Sequence, residues 1–238
     1  MLRWVFGRWL PALLLLFGVS ACVETAPPPT VEPPAAPVAS RRVLVAEFSE
    51  VVARVGPVAE RTCLEAARGR FRCDFVILVD DRPGQPPNAY QTLTRGGRPV
   101  IVFTLGLIAE ARNRDELAFA LGHEMAHHIL RHIPRQIESA TTGAFVLGTL
   151  VAVAGGRPGD IEAAQRLGAT IGARRYSKAH ELEADALGAR IALAAGFDPI
   201  RGAAFFERLP DPGDRFLATH PANSERIAVV RRAVRGVQ

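Results

Sequence analysis

Four of the chain's six histidines lie within ten positions, in the segment LGHEMAHHILRH that runs from residue 121 to residue 132. The arrangement His123-Glu124-x-x-His127 inside it calls for a helix. At 3.6 residues per turn, positions i and i+4 stack one above the other, so both imidazoles face one point, and each can approach Zn²⁺ at about 2.0–2.1 Å. Glu124 is turned away from the ligand direction but stays close to a water at the metal, where a carboxylate can take up a proton. The flanks set the limits of such a helix. Asn113 is a cap with Glu116 in capping-box position, and Pro134 predicts an end near Ile133. Leu117, Leu121, Met125, Ile129 and Leu130 form its buried side. Without a function, burying four histidines and a glutamate along this apolar helix would demand a hydrogen-bond partner for each.

An open zinc site needs a further protein ligand. The helix expected from Lys178 to Ala195 carries HELEAD, residues 180 to 185, in which Glu181 and Asp185 are four apart and share a face. Glu181 can supply an oxygen ligand, and Asp185 can accept the free imidazole N–H of a ligating histidine. Glu183 and His180 compete with Glu181 for the ligand role, although Glu183 is turned by about 200° and His180 is adjacent rather than co-facial. His128 and His132 are also four apart. They are either a second metal pair or partly exposed helix residues, with His132 hydrogen-bonding near the helix end.

The N-terminal segment reads as a targeting signal. Arg3 and Arg8 precede the apolar run PALLLLFGV, Pro11 to Val19, which is shorter than the about 20 residues of a spanning helix, so residues 1–21 are expected to be a signal peptide. Val19-Ser20-Ala21-Cys22 resembles a bacterial lipobox, in which Cys22 is acylated; the alternative is ordinary secretory cleavage, giving a soluble periplasmic protein. Val23 favours the outer membrane over inner-membrane retention. Residues 22–42 are then a lipidated N-terminus with a proline-rich tether, and residues 43–238 one catalytic domain. Cys63 and Cys73 remain. In an oxidising periplasm they pair more naturally as a disulfide than as a metal site, with two buried free thiols as the alternative.

The net charge of +5 is carried almost wholly by arginine, with Lys178 the one lysine. This balance favours anionic partners such as lipid surfaces, but the basic residues are scattered and no nucleic-acid partner is expected.

Between these landmarks, Phe48, Val51, Val52, Val55, Val58, Ala59 and Leu64 recur at helical spacing, interrupted at Gly56-Pro57, which predicts a kinked helix over 43–68. CDFVILV, residues 73–79, predicts a strand, and extended stretches at 88–93 and 99–104, separated by Gly96-Gly97, suit a hairpin. Residues 139–156 carry no charge, but their glycines and threonines favour a buried or membrane-facing helix over a span. Further helices are predicted over 160–176, 178–195 and 223–235. The fold class is α+β, predominantly helical, with a small β-sheet before the histidine helix.

Three segments together, ELAFALGHEMAHHILRH, HELEADALGARIALAAGFDP and THPANSERIA, resemble in order and spacing the HtpX, BepA and CAAX-prenyl-protease family of zinc metallopeptidases, in its periplasmic lipoprotein branch. The resemblance implies a zincin-like domain holding one Zn²⁺ through His123, His127 and Glu181, with Glu124 as catalytic base and Asp185 supporting a ligand. His220 is the implied stabiliser of the oxyanion or, alternatively, a fourth ligand that holds the enzyme inactive, and Arg226 orients the loop or the acidic helix. Asn88-Ala89 matches the pair before the family's edge strand, whereas QTLTRGGRP after Tyr90 is a longer insertion than the compact turn expected there. The implied function is a zinc-dependent endopeptidase of the bacterial cell envelope acting on misfolded or stalled proteins. Unfolded or extended polypeptide would add as a strand along PVIVFT, residues 99–104, and envelope assembly proteins form a second class of partner. The alternative is a non-catalytic envelope lipoprotein that serves as a chaperone or assembly scaffold.

Overall fold

The computed structural model describes residues 38–175, 177–209 and 221–236, all within one compact unit. The expected signal peptide, Cys22, most of the tether and His220 lie outside the described residues.

Helix α1, Val38–Ala67, starts inside the segment expected as tether and runs as one helix through Gly56-Pro57. Phe48, Val51, Val55, Ala59 and Cys63 recur every three or four residues and are buried, so this stripe forms one wall of the core. Leu64 falls off the stripe and is exposed. A disulfide between Cys63 and Cys73 ties α1 to the segment entering the sheet.

Strands β1 (Val76–Asp80), β2 (Ala89–Leu93) and β3 (Pro99–Thr104) form a sheet of order β1-β3-β2. β3 pairs parallel with β1 and antiparallel with β2. This corrects one expectation. PVIVFT is the central strand with both edges occupied, and the edge strands of the sheet are β1 and β2.

After the short α2, Leu105–Glu110, helix α3 spans Arg114–Ile129, and the Asn113 side chain accepts from the Glu116 N–H at 3.1 Å. The Glu116 carboxylate reaches past the cap to the Arg112 N–H at 2.8 Å. The helix stops earlier than Pro134 suggested. Arg131 takes a left-handed conformation at φ 58°, and α4, His132–Val153, begins directly after it. Pro134 lies in the first turn of α4, where a missing N–H costs no bond.

Helices α4 and α5 (Pro158–Arg175) form an antiparallel hairpin; α6 (Ser177–Ala194), α7 (Pro199–Ala203), a 3₁₀ turn over Ala204–Arg208 and α8 (Asn223–Arg235) complete the domain. Of the two alternatives for 139–156, a buried or a membrane-facing helix, the buried one does not hold, because only 6% of the apolar window of α4 is buried.

Helix α6 crosses α3 in backbone contact. A Cβ on Gly188 would lie 2.6 Å from the His123 nitrogen, and one on Gly122 would lie 2.7 Å from the Gly188 carbonyl oxygen. Two glycines at this crossing let α6 approach closely enough to aim Glu181 and Asp185 at the α3 histidines. The architecture is a helical domain with a small mixed sheet preceding the histidine-bearing helix, in agreement with a zincin-like fold.

Candidate metal centre

His123 and His127 project from successive turns of α3, with their Nε2 atoms 3.0 Å apart. Glu181 on α6 closes the triangle, its Oε2 3.5 Å from His123 Nε2 and its Oε1 3.4 Å from His127 Nε2. For bonds of about 2.0–2.1 Å to a tetrahedral ion, ligand atoms are separated by about 3.3 Å. The three edges bracket that value. His123, His127 and Glu181 form a cluster consistent with a single zinc site, and it is the only such group among the described residues. Two imidazoles and one carboxylate are the borderline donors that zinc takes, and three protein ligands leave a position for water.

The surrounding charges favour a cation here. Burial alone would lower the His123 imidazole, but Asp185 and Glu181 more than reverse this and raise it to about 10. Burial and the neighbouring His123 push His127 the other way. His123 Nδ1 lies 2.9 Å from Asp185 Oδ1, within ion-pair distance though not aligned as a hydrogen bond along the ring N–H. Arg226 from α8 donates twice to Asp185, at 2.8 Å and 2.8 Å, lies 3.4 Å from Glu181 and stacks over Phe206. Asp185 is fully buried, and the paired guanidinium makes its charge tolerable there.

On the other side of the cluster His127 Nδ1 lies 2.8 Å from His132 Nδ1, and His132 Nε2 lies 3.2 Å from Glu183 Oε2. Arg135 pairs with Glu183 at 2.7 Å, and His180 stacks on His132 with ring centroids 4.3 Å apart. These contacts decide between the ligand alternatives. Glu183 and His180 support His132 and stand outside the cluster. His128 and His132 do not form a second metal pair, since His128 Nε2 turns to the Arg72 carbonyl at 2.6 Å while its ring sits edge-on between Phe71 and Phe75. The support that His132 gives to His127 was not foreseen; its spacing five residues beyond His127 across the turn at Arg131 was the available signal.

Glu124 faces a groove of about 280 Å³ whose walls include Ala89, Tyr90 and Gln91 of β2 together with His123, His127 and Glu181. Burial pushes its carboxyl up to about 6, with His123 acting in the opposite direction. A second cavity of about 230 Å³ adjoins it near Asn88-Ala89, with Phe119, Phe205 and Phe206 in its walls.

A helix bearing two imidazoles on successive turns, a second helix supplying a carboxylate and an edge strand bordering the groove together define a metallopeptidase-type centre. The chain belongs to peptidase family M48, whose profile matches residues 52–234. It is 30% identical over 144 residues to a beta-barrel assembly-enhancing protease of Yersinia pestis, and 29% over 147 residues to the protein of that name from Escherichia coli K12. Each match covers 55% of this chain and 30% of the relative. It is also 28% identical over 138 residues to the mitochondrial metalloendopeptidase OMA1 of Arabidopsis thaliana, covering 56% of this chain and 27% of that protein. The chain thus spans under a third of the length of these relatives.

Proposed function

We propose that the chain is a zinc-dependent endopeptidase of the bacterial envelope that hydrolyses unfolded or stalled polypeptides. The observation that carries this reading is the Glu124 carboxylate lining the groove beside the His123, His127 and Glu181 cluster, where it can take a proton from a water at the metal and return it. A scaffold would have no need of such a base. Zinc held by His123, His127 and Glu181 would polarise the scissile carbonyl and acidify the attacking water. Glu124 takes the water proton and delivers it to the leaving amine. Asp185 and Arg226 hold His123 and Glu181 in place, and His132 does the same for His127. Extended substrate pairs with the outer edge of β2, which borders the groove, so the main chain is drawn straight past Glu124. His220, two residues before Ala222, is assigned to the oxyanion.

Residues 1–21 are proposed as a lipoprotein signal and Cys22 as the lipidated residue, holding the domain at the periplasmic face of the outer membrane. The signal pattern and the names of the bacterial relatives support this placement. Recognition through main-chain pairing would select substrates by exposed strands, as misfolded or stalled envelope proteins offer.

The test compares the parent chain with Glu124→Gln on unfolded and folded forms of one outer-envelope protein. The parent should cleave the unfolded form, while Glu124→Gln keeps its zinc and loses at least about 100-fold in turnover. Equal function of both, with no cleavage by either, would support the scaffold.

A further inference from the structure

Of twelve large hydrophobic side chains exposed among the described residues, seven lie on the α4–α5 hairpin. Helix geometry gathers five of them on one side. The two helices touch through bare backbone: a Cβ on Gly143 would lie 2.1 Å from the Gly168 carbonyl oxygen, and one on Gly172 would lie 2.1 Å from that of Ser139. With those contacts as origin and 100° per residue, Val146, Leu150 and Val153 fall on one flank of α4. Antiparallel packing brings Leu167 and Ile171 of α5 onto the same side. Leu150 is 64% exposed, Val153 84% and Leu167 54%.

We propose that this face of the hairpin lies in the surface of a lipid bilayer, with the hairpin in the plane of the interface. Several observations favour lipid over a protein. α4 carries no charged residue from Ser139 to Gly156, and its 22 residues, about 33 Å long, are apolar enough by length and composition to meet a membrane. It is neither a core helix, being almost wholly unburied, nor N-terminal. The face is aliphatic, formed by valine, leucine and isoleucine side chains. On α4 charge is confined to the ends, with Arg135 and Glu138 near the root; Arg135 pairs with Glu183 and Arg157 past the tip pairs with Asp160, so the exposed Arg131 at the root is the charge placed to meet an anionic headgroup layer. α5 bears Glu162 and Arg166 as a surface pair, so the hairpin rests on the bilayer rather than crossing it. Both roots reach the metal centre, since α4 opens with His132 and α6 follows α5. The groove would then work at the membrane surface.

The test uses full-length chains in which Trp4 and Trp9, the only tryptophans, are replaced by phenylalanine, carrying either Leu150→Trp or Ala169→Trp on the opposite flank. Each is mixed with phosphatidylethanolamine and phosphatidylglycerol vesicles whose acyl chains are brominated. Cooperative unfolding like that of the parent shows that each variant folds. The emission of Leu150→Trp should shift to the blue and fall at least about twofold, while Ala169→Trp changes little. No quenching of Leu150→Trp overturns the proposal. So does a blue shift without vesicles that grows with protein concentration, which would mean that a second copy covers the face. Hydrolysis of a soluble unfolded polypeptide should be unchanged by Leu150→Trp, so the outcome is separable from the proposed protease activity.

Discussion

His123 Nδ1 and Asp185 Oδ1 lie 2.9 Å apart, and the same carboxylate accepts two hydrogen bonds from Arg226 at 2.8 Å. Asp185 therefore couples the first histidine of the cluster to α8. Asp185→Asn keeps the shape but removes the charge, and should weaken zinc binding by about 10–100-fold in competition with a chelator. Asp185→Ala should in addition lower stability, because the buried Arg226 guanidinium loses both hydrogen bonds and keeps only the more distant Glu181 as a counter-charge. Equal zinc affinity in parent and Asp185→Asn would remove Asp185 from the site.

His132 and His128 make a contrasting pair. His132→Ala removes the partner of His127 and should weaken zinc binding by about tenfold. His128→Ala should leave zinc affinity alone and lower thermal stability, since its ring bonds the Arg72 carbonyl away from the cluster. Chelator titration of both, read beside their melting temperatures, distinguishes the two roles.

Glu116 makes a pH prediction. Burial pushes its carboxyl up, but the two hydrogen bonds from Arg208, at 2.8 Å and 2.7 Å, and the Arg112 N–H outweigh this and hold it below its usual value of 4.5. A depressed folded-state value contributes stability that is fully present above the unfolded value and is lost as pH falls through the folded one. Glu116→Gln should therefore be less stable than the parent at neutral pH, with the gap narrowing as pH falls below 4.5. Melting temperatures across that range would check it; a gap independent of pH would mean that the Arg208 pair carries no linkage.

The two roles proposed for His220 predict opposite signs. As the group that stabilises the oxyanion, its replacement by alanine should lower kcat with KM little changed. A rise in basal turnover would instead make it a blocking ligand, and steady-state kinetics on an unfolded polypeptide separates the two.

Much of this site was legible because its chemistry depends on local periodicity. The i and i+4 spacings of His123 with His127 and of Glu181 with Asp185 fix two faces without knowledge of the fold. The convergence of those faces depends on Gly122 and Gly188, which read as ordinary helix residues until the crossing is seen. Strand order was not legible. PVIVFT, an unbroken apolar run, marks a strand covered on both faces, but the run itself does not say which neighbour borders the groove, and β2 takes that place. The break between α3 and α4 was hidden too, because Arg131 adopts positive φ in a stretch with no glycine, and Pro134 fits the start of a helix as well as its end. The composition of residues 139–156 left a buried and a membrane-facing helix open; only the packing of α4 on α5 shows that most of that surface faces outward.

The most direct test is the zinc content of the purified chain measured beside that of Glu181→Ala. One zinc per parent chain, with loss of the metal from a variant that still unfolds cooperatively, is expected if two helices close on one ion. A folded Glu181→Ala protein that keeps its full zinc, or a parent chain that binds none, would show that His123, His127 and Glu181 are not the site.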